Sequence, residues 1–157
     1  MTGMPTIAFS VLTDVPADQF IAALTDFTVA RPKWWPNLDP ERFTVHSVHA
    51  TTADVTEGAT FAGGIWERGT YDWSVPGFIR FEVEDSNAFA AGSSWEYRVA
   101  RADGRTRIDV AVRRRPRTVK ARIISLMLRV VGRRVFRKDL EQTLAILQGV
   151  AGSAESR

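Results

Sequence analysis

Residues 65–84 read IWERGTYDWSVPGFIRFEVE, and their alternation decides the fold. From Ile65 to Val75 one face carries Ile65, Glu67, Gly69, Tyr71 and Trp73, and the other carries Trp66, Arg68, Thr70 and Asp72. Successive side chains of a strand point to opposite faces, so the first, more apolar set is expected to face inward. Pro76-Gly77 is a strong turn signal. After it, Ile79, Phe81 and Val83 share a face, leaving Arg80, Glu82 and Glu84 to solvent. Two strands joined by so short a turn pair antiparallel.

The pattern repeats outward from this hairpin. Ser93 to Ala102 and Thr106 to Arg114 flank an Asp103-Gly104 turn, with Trp95, Tyr97 and Val99 on one inner face and Ile108, Val110 and Val112 on the other. Upstream, Phe43 to His49 alternates. Ala53 to Phe61 is a weaker strand broken by Gly58, and Gly63-Gly64 reads as a turn. Thr6 to Thr13 (TIAFSVLT) is a first strand. Pro16 opens a helix to about Asp26, with Phe20, Leu24 and Phe27 at helical spacing. Next comes ARPKWWPNLD (Ala30–Asp39), in which Pro32 and Pro36 leave room for one helical turn at most. Adjacent side chains diverge by about 100° in a helix and 180° in a strand, so Trp34 and Trp35 cannot both face one core.

Thr118 to Gln148 is helical. Val119, Ile123, Met127 and Val130 form one apolar stripe, and Phe136, Leu140, Leu144 and Leu147 form another. The stripes do not join at constant spacing, and Gly132 lies between them, so a bend or break is expected there. A helix this long is the one element able to cover the apolar face of the sheet.

The chain has 157 residues, 45% apolar and 25% charged, which fits one domain with a proper core. It has no cysteine, which excludes disulfides and thiolate metal sites and suits a reducing cytoplasm. The N-terminus has no basic segment followed by a long apolar run, so no signal peptide is expected, and no run is long enough to span a membrane. The net charge of +3 hides an asymmetry. Arg113 to Lys138 holds eleven basic residues and no acidic one, while the rest of the chain nets −8. His46 and His49 are three apart on one strand and face opposite ways. No HExxH, GxSxG, P-loop or GxGxxG motif occurs, so neither a metal nor a cofactor is expected.

The layout resembles the START-like helix-grip (SRPBCC) superfamily, and within it the bacterial polyketide cyclase/dehydrase and lipid-transport group. The matching residues are Val15-Pro16-Ala17-Asp18-Gln19-Phe20, Thr25-Asp26-Phe27, Trp34-Trp35-Pro36, Gly58-Ala59-Thr60-Phe61 and the helix end from Leu140 to Leu147. The resemblance implies an α+β fold: a curved antiparallel sheet of six to seven strands wrapped around a long C-terminal helix, with two short helices after the first strand. It implies one domain over residues 5–148 and an apolar cavity between sheet and helix, with the tryptophan segment at its mouth; the small, polar composition of residues 149–157 is expected to make a flexible tail.

The expected ligand-binding residues are Trp35, Glu67, Tyr71, Trp73, Phe81, Trp95, Tyr97, Met127 and Val131. Glu67 is the best acid–base candidate, since a carboxyl in an apolar cavity has a raised pKa. The preferred function is binding or carrying a small hydrophobic or amphipathic molecule. A cofactor-independent polyketide aromatase/cyclase is the second reading, and the scarcity of polar residues on inner strand faces speaks against it. A regulatory protein docked on an anionic membrane through Arg113 to Lys138 is the third. Nucleic acid binding lacks a matching motif.

Overall fold

The computed structural model describes residues 6–59 and 64–155, with side chains to residue 150. Strand β1 (Thr6–Thr13) leads into helices α1 (Ala17–Leu24) and α2 (Arg31–Trp34) and a 3-10 turn at Pro40–Arg42. A meander follows: β2 (Thr44–Val48), β3 (Thr52–Gly58), β4 (Trp66–Val75), β5 (Phe78–Ser86), β6 (Ser94–Ala102) and β7 (Arg105–Arg113). Helix α3 (Val119–Glu155) follows and continues through residues 149–155, where a flexible tail was expected, because small residues such as Ala151 and Ala154 continue a helix even where the apolar periodicity stops. The sheet is antiparallel in the order β1-β7-β6-β5-β4-β3-β2, so the first strand lies beside the last. The proposed strand end at Phe61, the Thr60-Phe61 part of the GATF match and Gly63 of the glycine turn lie outside the described residues.

Local chemistry explains the pairing. Asp103 (φ 53°) and Gly104 (φ 74°) make the tight β6–β7 turn expected of an Asp-Gly pair. At Gly69 the β4–β5 register shifts, and a Cβ there would sit 2.1 Å from the Glu82 carbonyl oxygen, so no larger residue fits. The inner faces follow the alternation: Ile79, Phe81, Val83, Ile108, Val110 and Val112 are buried in the core. Against them α1 packs Phe20 and Leu24, and α3 packs Leu128, Phe136, Leu140, Leu144 and Leu147. Each such side chain contributes about 1.5–3 kcal/mol on leaving water.

The expected break in the last helix is absent, and α3 runs continuously through Gly132, which lies against Ile7 of β1. The reason is that the two stripes do not share a function. Val119, Ile123, Met127 and Val130 face solvent, while the inward face of the N-terminal half is Ala121, Ile124 and Leu128. The inward residues then continue to Phe136 and Leu140 without interruption.

Candidate functional site

A cavity of about 220 Å³ lies between the sheet and α3. Its floor is Glu67 and Tyr71 of β4, Phe81 of β5, Trp95 and Tyr97 of β6, and Val110 of β7. Its roof is Ile124, Leu128, Phe136, Asp139, Leu140 and Thr143 of α3. Trp35 and the following Pro36–Leu38 close one side.

The tryptophan pair divides its work. Trp35 forms part of the wall, its ring edge-on to Phe20 (6.3 Å between centroids) and its indole N–H donating to the Ala23 carbonyl (3.2 Å). Trp34, contrary to expectation, packs against the same core as Trp35, because both rings are only partly buried at its edge; its indole N–H donates to Asp26 Oδ2 (2.9 Å), and its carbonyl accepts from Thr143 Oγ1 of α3 (2.6 Å). The prolines thus hold a turn whose backbone and rings tie α1, α2 and α3 together.

Two arginine–glutamate pairs stand side by side in the wall. Glu57 of β3 and Glu67 of β4 are register partners. Arg31 donates from Nε to Glu57 Oε1 (2.7 Å), from Nη1 to the Leu24 and Asp26 carbonyls (2.8 and 3.1 Å), and from Nη2 to the Tyr71 hydroxyl (3.0 Å). Tyr71 donates in turn to Glu57 Oε2 (2.9 Å). Burial alone would lower the Arg31 pKa, but the Glu57 carboxylate and the Tyr71 oxygen outweigh it and raise it. Burial and then Glu57 hold the Tyr71 phenol well above its ordinary value. In the second pair Arg114 Nη1 donates to Glu67 Oε1, and the guanidinium lies against the rings of Phe89 (4.6 Å) and Trp95 (4.7 Å).

Two polar groups in the wall are less committed. The Tyr97 hydroxyl borders the cavity, and burial followed by the Glu57 charge raises its pKa, keeping it protonated. Asp139 is pushed up by burial, partly offset by a hydrogen bond from the Asn37 side chain and the charge of Lys138. A donor from the sheet and a carboxyl with a raised pKa from the helix therefore both border the same space.

Of the expected site residues, Trp35, Glu67, Tyr71, Phe81, Trp95 and Tyr97 are brought together here. Three are not. Trp73 lies beyond the cavity, stacked on Phe27 (5.6 Å). Met127 and Val131 are exposed, because the inward helix face is set by Ile124 and Leu128 and each lies off it. The wall is also more polar than inner-strand alternation indicated, since Arg31, Glu57, Arg114, Asp139 and Thr143 join it. Some of these were signalled. Glu57 continues the parity of Ala53 and Val55, Arg114 that of Val110 and Val112, and Asp139 and Thr143 fall at helical spacing from Phe136. Arg31, in a turn without periodicity, gave no such signal. Among the described residues no cluster of His, Asp or Glu is arranged to hold a metal, and no helix is long and apolar enough to cross a membrane.

Neither the protein-family models nor the curated proteins contain a match to this chain. Solved structures do. The Zhui aromatase/cyclase from Streptomyces sp. R1128 superposes with a TM-score of 0.76 at 18% identity, over 93% of this chain and 94% of that one. The di-domain ARO/CYC StfQ from the steffimycin biosynthetic pathway gives 0.72 at 11% identity, over 94% of this chain and 52% of that one. A START superfamily protein from Mycobacterium smegmatis gives 0.64 at 11% identity, over 87% and 97%. The fold is therefore the START-like helix grip, and likeness at these identities is a likeness of fold.

Proposed function

We propose that the protein binds a compact, mainly apolar molecule bearing one or two oxygen atoms in the cavity between sheet and α3, as a carrier or binding protein. The observation that supports this most is a ring-lined space bordered by a protonated hydroxyl on Tyr97 and by the Asp139 carboxyl, whose pKa burial raises. Ligand sites are mostly apolar with a few placed polar groups. Size narrows the class. Drug-sized ligands occupy about 300–1,000 Å³, and benzene fits a cavity of about 150 Å³. At about 220 Å³ the space suits one or two fused rings rather than an extended chain.

The test is a titration with 2-naphthol, followed by quenching of the wall tryptophans Trp35 and Trp95. Saturable binding is expected, weakened about 2–12-fold in Tyr97→Phe, the worth of one hydrogen bond. Absence of saturable quenching by any one- or two-ring phenol would reject the reading.

A second reading, a cofactor-independent aromatase/cyclase, is favoured by Asp139. As a carboxylate it takes a proton from the carbon between two carbonyls. The resulting enolate carbon bonds to another carbonyl carbon of the chain, whose oxygen receives a proton and becomes a hydroxyl. Loss of water then gives the ring double bond. Such work needs positioning and one acid–base group. Two of the structural neighbours are named aromatase/cyclases. Turnover separates the readings: under the second the parent protein cyclises a short poly-β-ketone and Asp139→Asn loses that turnover, whereas a carrier turns over nothing in either form.

A further inference from the structure

The outward face of α3 is built for a surface, independently of what the cavity holds. Val119, Ile123, Leu126, Met127 and Val130 are 58% to 86% exposed. Their spacing of three and four residues places them on one stripe over three turns. Lys120 and Arg134 border the stripe on one side and Arg122, Arg129 and Arg133 on the other, and all five are exposed. No acidic residue interrupts the segment from Arg113 to Lys138. A helix face that is merely solvated has no use for five large apolar side chains in twelve residues.

We propose that this face docks on an anionic lipid bilayer, with the apolar stripe in the interface and the flanking cations on lipid headgroups. That is the pattern by which a helix lies in the plane of a membrane. Charge decides against a second copy of the chain, because pairing this face with itself would set cations against cations. The opposite side of the same helix places Ile124 and Leu128 in the cavity roof, so the membrane-facing surface and the cavity are back to back across one helix.

The test is co-sedimentation of the full chain with vesicles of phosphatidylcholine alone and with about one-third phosphatidylserine. Binding is expected only to the anionic vesicles, and to be lost near 1 M salt, where the Debye length is about 3 Å. The variant Ile123→Asp/Val130→Asp should abolish it. Arg122→Gln/Arg129→Gln/Arg133→Gln should weaken it on the order of a hundredfold, at about fivefold per cation. None of these residues borders the cavity, so 2-naphthol binding, measured in parallel, reports separately on the fold and the cavity. Equal binding to both vesicles, binding to neither, or insensitivity to both variants overturns the proposal. So does a dimer in sedimentation equilibrium that the Ile123→Asp/Val130→Asp variant dissociates.

Discussion

Arg31 is the residue on which the site's geometry rests. It is 2% exposed, and its guanidinium bonds a carboxylate, a phenol and two main-chain carbonyls from three different parts of the chain. A charge this deep survives because every partner is satisfied, and removing one leaves the others stranded. Arg31→Met should cost about 3–5 kcal/mol in urea unfolding, since Glu57 then keeps a charge with only Tyr71 beside it. Arg31→Lys should recover little, because one ammonium on a flexible stem cannot reproduce a planar fork that reaches three directions. Arg31→Met/Glu57→Gln should be less damaging than the sum of its parts, as expected of residues sharing one network. Additive losses would mean that the arginine acts by filling space alone.

At the scale of elements, helix α3 shows what alternation and periodicity reveal and where they stop. The strands were legible because each has one wet and one dry face, so parity alone placed Tyr71, Phe81, Trp95 and Tyr97 inward. The helix misled because it is apolar on two sides along its first half. Hydrophobicity marks burial only when nothing else calls for it, and the Val119 to Val130 stripe is apolar yet exposed. The truly buried residues there, Ala121, Ile124 and Leu128, include a small one and so made the weaker pattern. Arg31 was illegible for a different reason: its role arises from contacts 26 and 40 residues away in sequence, which no local spacing encodes. The rotational setting of α3 has a direct consequence. Leu128→Ala should destabilise by about 2–4 kcal/mol through the cavity it opens, while Val130→Ala, 86% exposed, should change stability by less than about 0.5 kcal/mol. Thermal or urea unfolding of the pair distinguishes this setting from one rotated by two residues, which reverses the order.

For the whole molecule, the cavity is a stability deficit that a ligand removes, and Asp139 links that deficit to pH. Apolar space left unfilled costs about 24 cal/mol per Å³, so a dry cavity of 220 Å³ would cost about 5 kcal/mol, comparable to the total stability of many domains. Polar groups in the wall admit water and soften that cost, which is one reason the chain tolerates them. A ligand at a hundredfold its Kd adds about 2.7 kcal/mol, or roughly 5–10 °C in Tm for a chain of this length. Asp139 works in the opposite direction. Its folded-state pKa is raised above 3.8 by burial, so between the unfolded and folded values the folded state holds more protons than the unfolded state. Its contribution is therefore fully present below about pH 3.8 and is lost as pH rises through the folded pKa. Above its folded-state pKa Asp139 is a net liability retained beside the cavity. Asp139→Asn should accordingly raise Tm above the folded-state pKa, and the gain over the parent should shrink as pH falls and the parent carboxyl takes up its proton. A differential scanning series across that range measures it. A gain that stays constant with pH would show that the carboxyl is solvated and carries no burial penalty.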